Sequence, residues 1–249
     1  MLKNHHVHPQ ESVVEQIAEV LEKAGYDVKG FSDGEENVYN LYRISSLKDL
    51  AKYGQRRIIE KRSFLFLKNS FPSSLYLVKS GLVKTYKSDQ FGKIFTTGIH
   101  SKDCIFGYLP LILDQPYKDS AVALEDSEVI VINKREFFSL LFSQTSLIRA
   151  FINIMCRDLD AMEENLLSLA YDTTRKRVAQ TLLTLDKKLN PDGSANFAIN
   201  LTRENLAHLV GVSTETLIRT LRNFYEGELI ELSGRCVTRL DKEGLRKVG

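Results

Sequence analysis

Cysteine is scarce in this chain, and where it falls excludes several classes. The 249 residues include three cysteines, Cys104, Cys156 and Cys236, an odd number set far apart. No two have metal-ligand spacing, so neither a disulfide framework nor a zinc or iron–sulfur site is indicated, and reduced buried thiols are expected. Long apolar runs are missing as well. None reaches the roughly 18 residues needed to cross a bilayer, and the opening "MLKNHHVHPQESVV" lacks the apolar core of a signal peptide. The expectation is a cytoplasmic chain with no membrane partner. Charge of one sign is missing too: 34 Lys and Arg stand against 32 Asp and Glu, for a net charge of +2. Any surface for a polyanion must then be a local patch. The sequence has no nucleophile elbow, P-loop or dinucleotide fingerprint. His5, His6 and His8 sit in a polar leader without Cys or acidic partners and read as a tail. No metal site and no cofactor are predicted.

What is present is ordinary globular composition, 43% hydrophobic and 27% charged, long enough to bury a core without staples. Residues 1–58 read as a helical N-terminal extension, with Val14, Ile17, Val20 and Leu21 on one face and Gly25 as a stop. Its helix–strand–helix order faintly resembles the opening of a response-regulator receiver domain. There is no room for an aspartate-bearing strand, so a helical cap on the next domain is the reading preferred. From Phe64 to Asn133 the pattern changes to short strands: "SFLFLKN", "SLYLVKSG", "LVKTYKS", "KIFTTGIH" and "SEVIVINK". They are rich in β-branched and aromatic residues and separated by turn signals. "SDQFGK" looks like a hairpin loop with Gly92 free to take positive φ. This spacing predicts an antiparallel β jelly-roll barrel over residues 59–143, enclosing a small cavity suited to a ligand.

A long helix is predicted next, over residues 144–170. Its apolar residues Ile148, Ile152, Met155, Leu159, Met162, Leu166 and Leu169 step by 4 and 3 in alternation, which is the a/d pattern of a coiled coil. A helix over this stretch is about 35 Å long. The competing reading packs the helix on its own barrel, which needs a broader apolar stripe. Phe151 and Ile154 widen the stripe at the N-terminal end only. A dimer seam is therefore expected along Ile152, Met155, Leu159, Met162, Leu166 and Leu169, with the first turns also touching the barrel.

Residues 171–249 form the last segment, separated internally by the turn "PDGSAN". In "NLTRENLAHLVGVSTETLIRTLRNFYEGELIEL" helical spacing is interrupted by Gly211, Val212 and Ser213. Thr202 is placed to cap a first helix and Ser213 a second, each hydroxyl accepting from first-turn amides. Gly211 suits the left-handed stop between them. Glu215 complements the second helix's dipole, and Leu217, Ile218 and Leu221 are expected to hold it to the first. The result is a helix-turn-helix, an arrangement that lays one helix across DNA phosphates while the other enters the major groove. Thr214, Glu215, Arg219 and Arg222 then face outward. Arg can read guanine O6 and N7, and Glu can accept from cytosine N4. Thr202, Ser213 and Thr216 suit phosphate oxygens, and Arg203 supplies charge for the backbone. "ELIELSG" and "CVTRL" add a small β-hairpin, completing a winged helix. The bland alternative is a helical hairpin with no DNA role.

In this order the pieces resemble the Crp–Fnr family of bacterial transcription regulators, an α+β architecture, over about residues 60–245. "TRENLAHLVGVSTETLIRTL" is the most specific piece. "RVAQTLLTL", "LYLVKSGLVKTYKSDQFGK" and "DCIFGYLPLILD" resemble the helix after the dimer helix, the barrel's glycine-bearing turns and the lead-in to its ligand cassette. The resemblance implies a homodimer on double-stranded DNA with two-fold symmetry, and contact with RNA polymerase if the protein is an activator. It also exposes departures. Family members that bind cyclic AMP carry Gly-Glu-Leu, the Glu holding the ribose, and an Arg-Ser pair that holds the cyclic phosphate. Here Gly107, Tyr108 and Leu109 stand at the first place, and Asp119 and Ser120 at the second. Replacing an attraction of about 4 kcal/mol at 4 Å by repulsion disfavours an anionic ligand. Lys118 is one position away, but neighbouring side chains in an extended segment point oppositely. Tyr108 and Tyr117 have two readings, as the lining of a pocket for a flatter or less charged ligand, or as filling. The effector is left unidentified. An iron–sulfur member would need cysteines before Cys104, and a haem member axial ligands beyond His100.

Three other readings compete. One is a cyclic-nucleotide-responsive regulator with a rearranged phosphate site. Another is a cupin-like metal-dependent enzyme, which would need several converging His and carboxylate ligands where the barrel segment offers only His100. The third is a dimeric scaffold without DNA binding. The expectation taken forward is a DNA-binding regulator, not an enzyme, and not dependent on cyclic AMP.

Overall fold

The β-branched and aromatic residues between Phe64 and Asn133 need a second apolar layer, and the computed structural model, which describes residues 50–143, 145–194 and 197–249, supplies it as two antiparallel four-stranded sheets. Their strands are β1 (Gln55–Ile59), β2 (Phe64–Phe66), β3 (Ser74–Ser80), β4 (Val83–Ser88), β5 (Ile94–His100), β6 (Ile105–Phe106), β7 (Ser120–Ala123) and β8 (Ser127–Asn133). One sheet runs β1-β8-β3-β6 and the other β2-β7-β4-β5. The expected hairpin joins β4 to β5. Asp89 Oδ1 accepts from the amides of Phe91 and Lys93 at 2.9 and 2.8 Å, and Gly92 has φ +78°. Between the sheets lie Phe66, Tyr76, Val78, Val83, Phe106, Tyr117, Ala121 and Val129.

The helical extension expected over residues 1–58 lies outside the described residues up to 49. From 50 on it needs correcting. Among the described residues a short helical stretch precedes β1, which begins at Gln55 and pairs with β8 over five positions. The barrel thus starts inside the segment read as a cap. Two short helices interrupt and close it, α1 (Tyr108–Leu113) and α2 (Lys134–Ser143).

The long helix follows as α3 (Thr145–Tyr171). Leu147, Ala150 and Phe151 are buried in its first turns, with the Phe151 ring 5.0 Å from Phe137. Beyond them the apolar stripe meets solvent. Ile152, Met155, Leu159, Met162, Leu166 and Leu169 are all exposed, up to 65% at Leu159. In the winged helix, α4 (Thr174–Leu189) is followed by β9 (Ala198–Ile199), α5 (Arg203–Val210), α6 (Thr214–Glu226), β10 (Ile230–Ser233), β11 (Cys236–Leu240) and α7 (Lys242–Arg246). The wing sheet has the order β10-β11-β9.

Residues 50–249 form one unit, and its second core explains why. Leu82 and Ile99 of the barrel share a cluster with Val178, Leu182, Leu206, Val210, Leu217 and Phe224 of the winged helix. The sequence does not foreshadow this joint. Lys84 on β4 is only 7% exposed. It donates from Nζ to Asn205 Oδ1 on α5 at 2.7 Å and lies 5.0 Å from the Tyr86 ring centroid. Burial lowers its pKa, and the Glu204 carboxylate opposes that shift.

Candidate nucleic-acid interface

Both helices of the reading head carry the caps that the sequence predicts. Thr202 Oγ1 accepts from the Asn205 amide at 3.1 Å, and Ser213 Oγ from the Thr216 amide at 3.2 Å. These contacts satisfy amides that have no partner within a helix. Gly211 sits between them at φ +76°. A Cβ there would lie 3.3 Å from Leu169 Cδ2 and 3.5 Å from Phe95 Cε2. The turn therefore rests against both the end of α3 and the barrel hairpin, and Leu169, expected only in the seam, also touches the head. Gly211→Ala should combine a left-handed strain of about 1–2 kcal/mol with that crowding. The expected result is a lower urea midpoint at unchanged slope.

With the turn fixed, α6 buries Leu217, Thr220, Leu221 and Phe224 and turns the opposite face outward. Glu215, Arg219 and Arg222 are exposed, and Thr214 and Thr216 half-buried. Five of the predicted contacts, Thr202, Arg203, Ser213, Thr216 and Arg222, have partners within the fold. The Ser213 hydroxyl donates to Thr216 Oγ1 at 2.8 Å. Arg222 Nε pairs with Glu226 Oε1 at 2.8 Å, an exposed pair on one helix face that adds little stability. Arg203 was expected to lend its charge to a DNA backbone. Its guanidinium instead reaches the wing turn, donating to the carbonyls of Arg235 and Gly234 at 3.1 and 3.4 Å, so it braces the wing beside α5. Ile218 needs a plainer correction. It was expected to hold α6 to α5, yet it is 49% exposed on the same side as Glu215 and Arg219. The inward stripe of α6 runs along Leu217, Thr220, Leu221 and Phe224, and Ile218, one position on from Leu217, falls at its edge.

The cassette residues separate into different environments. Gly107 takes φ +79° at the start of α1, where a Cβ would come within 3.0 Å of the Tyr76 ring. Tyr117 resolves to filling. Its ring stacks on Phe66 with centroids 3.7 Å apart inside the barrel core, and burial raises its pKa. Tyr108 follows neither reading. It turns to α3, meets Phe151 edge-on at 5.4 Å and donates its hydroxyl to Asp158. Burial and then that carboxylate raise its pKa. Leu109 and Lys118 are exposed. Ser120 is buried and its Oγ accepts from the Lys68 amide at 2.9 Å. Asp119 lies 3.5 Å from Thr97 Oγ1, and burial raises its pKa. No guanidinium stands among these residues.

His100 is held by its neighbours. Its ring stacks on Phe106 at 4.6 Å, and Nε2 lies 3.0 Å from Thr85 Oγ1. Burial, with help from the Lys188 charge, pushes its pKa down to about 3, so the imidazole is neutral near pH 7. Among the described residues no cluster of three or more His, Cys, Asp or Glu is placed to hold a metal ion. No single described helix is long and apolar enough to cross a membrane.

Comparison with known proteins agrees with this layout. A cyclic nucleotide-binding domain is matched over residues 56–144 and a Crp-like helix-turn-helix domain over residues 176–248. The Anaerobic regulatory protein of Bacillus subtilis is 30% identical over 193 residues, covering 76% of this chain and 81% of the relative. The Transcriptional regulatory protein btr of Bordetella pertussis is 29% identical over 207 residues, covering 82% and 84%. Among solved structures, FixK2 from Bradyrhizobium japonicum shares the fold, with a TM-score of 0.71 at 20% identity over 78% of this chain and 96% of that one. With a nucleotide-binding-type barrel and a Crp-like reading head in sequence on one polypeptide, the chain belongs to the Crp–Fnr family of DNA-binding transcription regulators, which are not enzymes.

Proposed function

We propose that the protein acts in the cytoplasm as a homodimer on a two-fold symmetric operator. The dimer pairs along the α3 seam and sets two copies of α6 into major grooves about one helical turn, ~34 Å, apart. Glu215 and Arg219 read base edges. The hydroxyls of Thr202, Ser213, Thr214 and Thr216, with Arg222, meet phosphates, and Arg203 holds the wing beside them. The observation that carries this reading is the exposed row of Glu215, Arg219 and Arg222 on a helix capped at a tight turn. Contact with RNA polymerase follows only if the protein activates.

Control passes from barrel to head through the shared core around Leu82, Ile99 and Leu206 and through the Lys84–Asn205 hydrogen bond, in addition to the long helix. An effector works on this joint only by binding one arrangement of head and barrel more tightly than another. Cyclic AMP is not that effector, because Asp119 would face its phosphate and the rings of Phe66, Tyr76, Phe106 and Tyr117 fill the barrel.

The test is selection of bound fragments from genomic DNA, followed by a mobility shift of the recovered site at increasing salt. An inverted-repeat motif whose affinity falls with salt, as phosphate neutralisation requires, and is unchanged by cyclic AMP is the expected result. A chain that binds no fragment specifically would refute the reading. Cyclic-AMP-dependent binding would refute its effector half.

A further inference from the structure

The exposed face of α6 carries one side chain that cannot make a hydrogen bond. Ile218 lies three residues after Glu215 and next to Arg219, and it is 49% exposed. Single exposed apolar residues are common and need no explanation in general. This one sits in the middle of the face assigned to the major groove, flanked by the two base-reading residues. The inward positions on the same turns are already filled by Leu217 and Leu221, so packing of the head does not require it.

We infer that Ile218 is a third base-reading residue and that it recognises the 5-methyl group of a thymine. The inference rests on the proposed groove placement of α6 and adds what that placement leaves open. In the major groove, guanine, cytosine and adenine edges offer donors and acceptors, and thymine alone adds a methyl group. A branched hydrocarbon can gain contact only from that methyl. Set against cytosine N4 or guanine O6, it would strip water from a polar group and return no partner, which is unfavourable. Ile218 therefore selects in both directions, toward thymine by contact and against the other edges by desolvation. Its β-branching restricts χ1, so its methyl groups are presented in a fixed place relative to Glu215 and Arg219.

The experiment uses the full chain. An operator is first selected from random duplexes. Each thymine of a half-site and its symmetry mate is then replaced by deoxyuridine, which removes the methyl and leaves base pairing intact. At one thymine pair the replacement should weaken the wild type about four-fold per half-site, the scale of one buried methyl-sized group, or roughly fifteen-fold for both. The same replacement should leave Ile218→Ala unaffected. Alanine favours the helix and Ile218 is outside the head's core, so the variant should keep the wild-type unfolding midpoint. If both proteins select an operator and no thymine methyl is coupled to position 218, the inference is overturned while the regulator reading stands. If no operator can be selected, the groove placement of α6 has failed and this inference falls with it.

Discussion

Met162→Asp should give a protein that sediments at the mass of one chain and binds its operator at least a hundred-fold more weakly. Met162 is in the middle of the proposed seam, 59% exposed, between Leu159 and Leu166 at 65% and 58%. Hydrocarbon at every a and d position is stable in water only when covered, and α3 has already spent its N-terminal turns, through Leu147 and Phe151, on the barrel. In a parallel pair the two introduced carboxylates would face each other in a dry seam, where each costs several kcal/mol to desolvate. Loss of pairing removes the avidity of two linked heads, a factor of about 10²–10⁴. Glu164→Ala, on the outer side of the same turn, should remain dimeric. An intact dimer of Met162→Asp would place the protomer contact elsewhere.

The exposed apolar stripe of α3 was legible because steps of 3 and 4 are a local pattern, repeated along the helix. So were the helix-turn-helix, written in the two capping hydroxyls and Gly211, and the strands β3, β4, β5 and β8, whose β-branched and aromatic runs lie between turn signals. β1 was not. "QRRII" puts three polar residues before two apolar ones and becomes a strand by pairing with β8, 68 to 76 residues away. β6 and β7 are two and four residues long, too short for a period to register. The contacts that join the parts were hidden for the same reason. Lys84 and Asn205 are 121 residues apart, and no local rule announces that a lysine in a strand will be buried against a helix of another domain.

Tyr108 shows how substitution at a known position can redirect it. At the place where cyclic-AMP-binding relatives are expected to hold a ribose, this chain has a side chain that reaches its own long helix at Asp158, next to Leu159 of the proposed seam. The cassette thus supports the helix that would pair the protomers. The sequence reveals that the glutamate expected to hold the ribose is gone. It does not reveal where the phenol goes, because that depends on how α1 packs on α3, where Tyr108 meets Phe151 edge-on.

Arg219→Ala should lose base preference rather than binding as such. Arg219 is exposed on the outward side of α6, and among the described residues no ion pair engages it, so its guanidinium is available for a bidentate contact with guanine. Truncation should cost about 1–3 kcal/mol on the selected operator and relax preference at one position per half-site. Arg222 supplies the contrast. It is already paired with Glu226 and lies a turn further from the N-terminus of α6, beside the phosphates in the proposed placement. Arg222→Ala should weaken all sequences about equally and reduce the salt slope by about one. A binding profile across a randomised operator library separates the two. If Arg219→Ala also weakened every sequence alike, α6 would be lying along the backbone instead of in the groove. Glu215, one turn earlier on the same face, would then be set against phosphate oxygens, a like-charge contact unfavourable enough to require a different docking of the whole head.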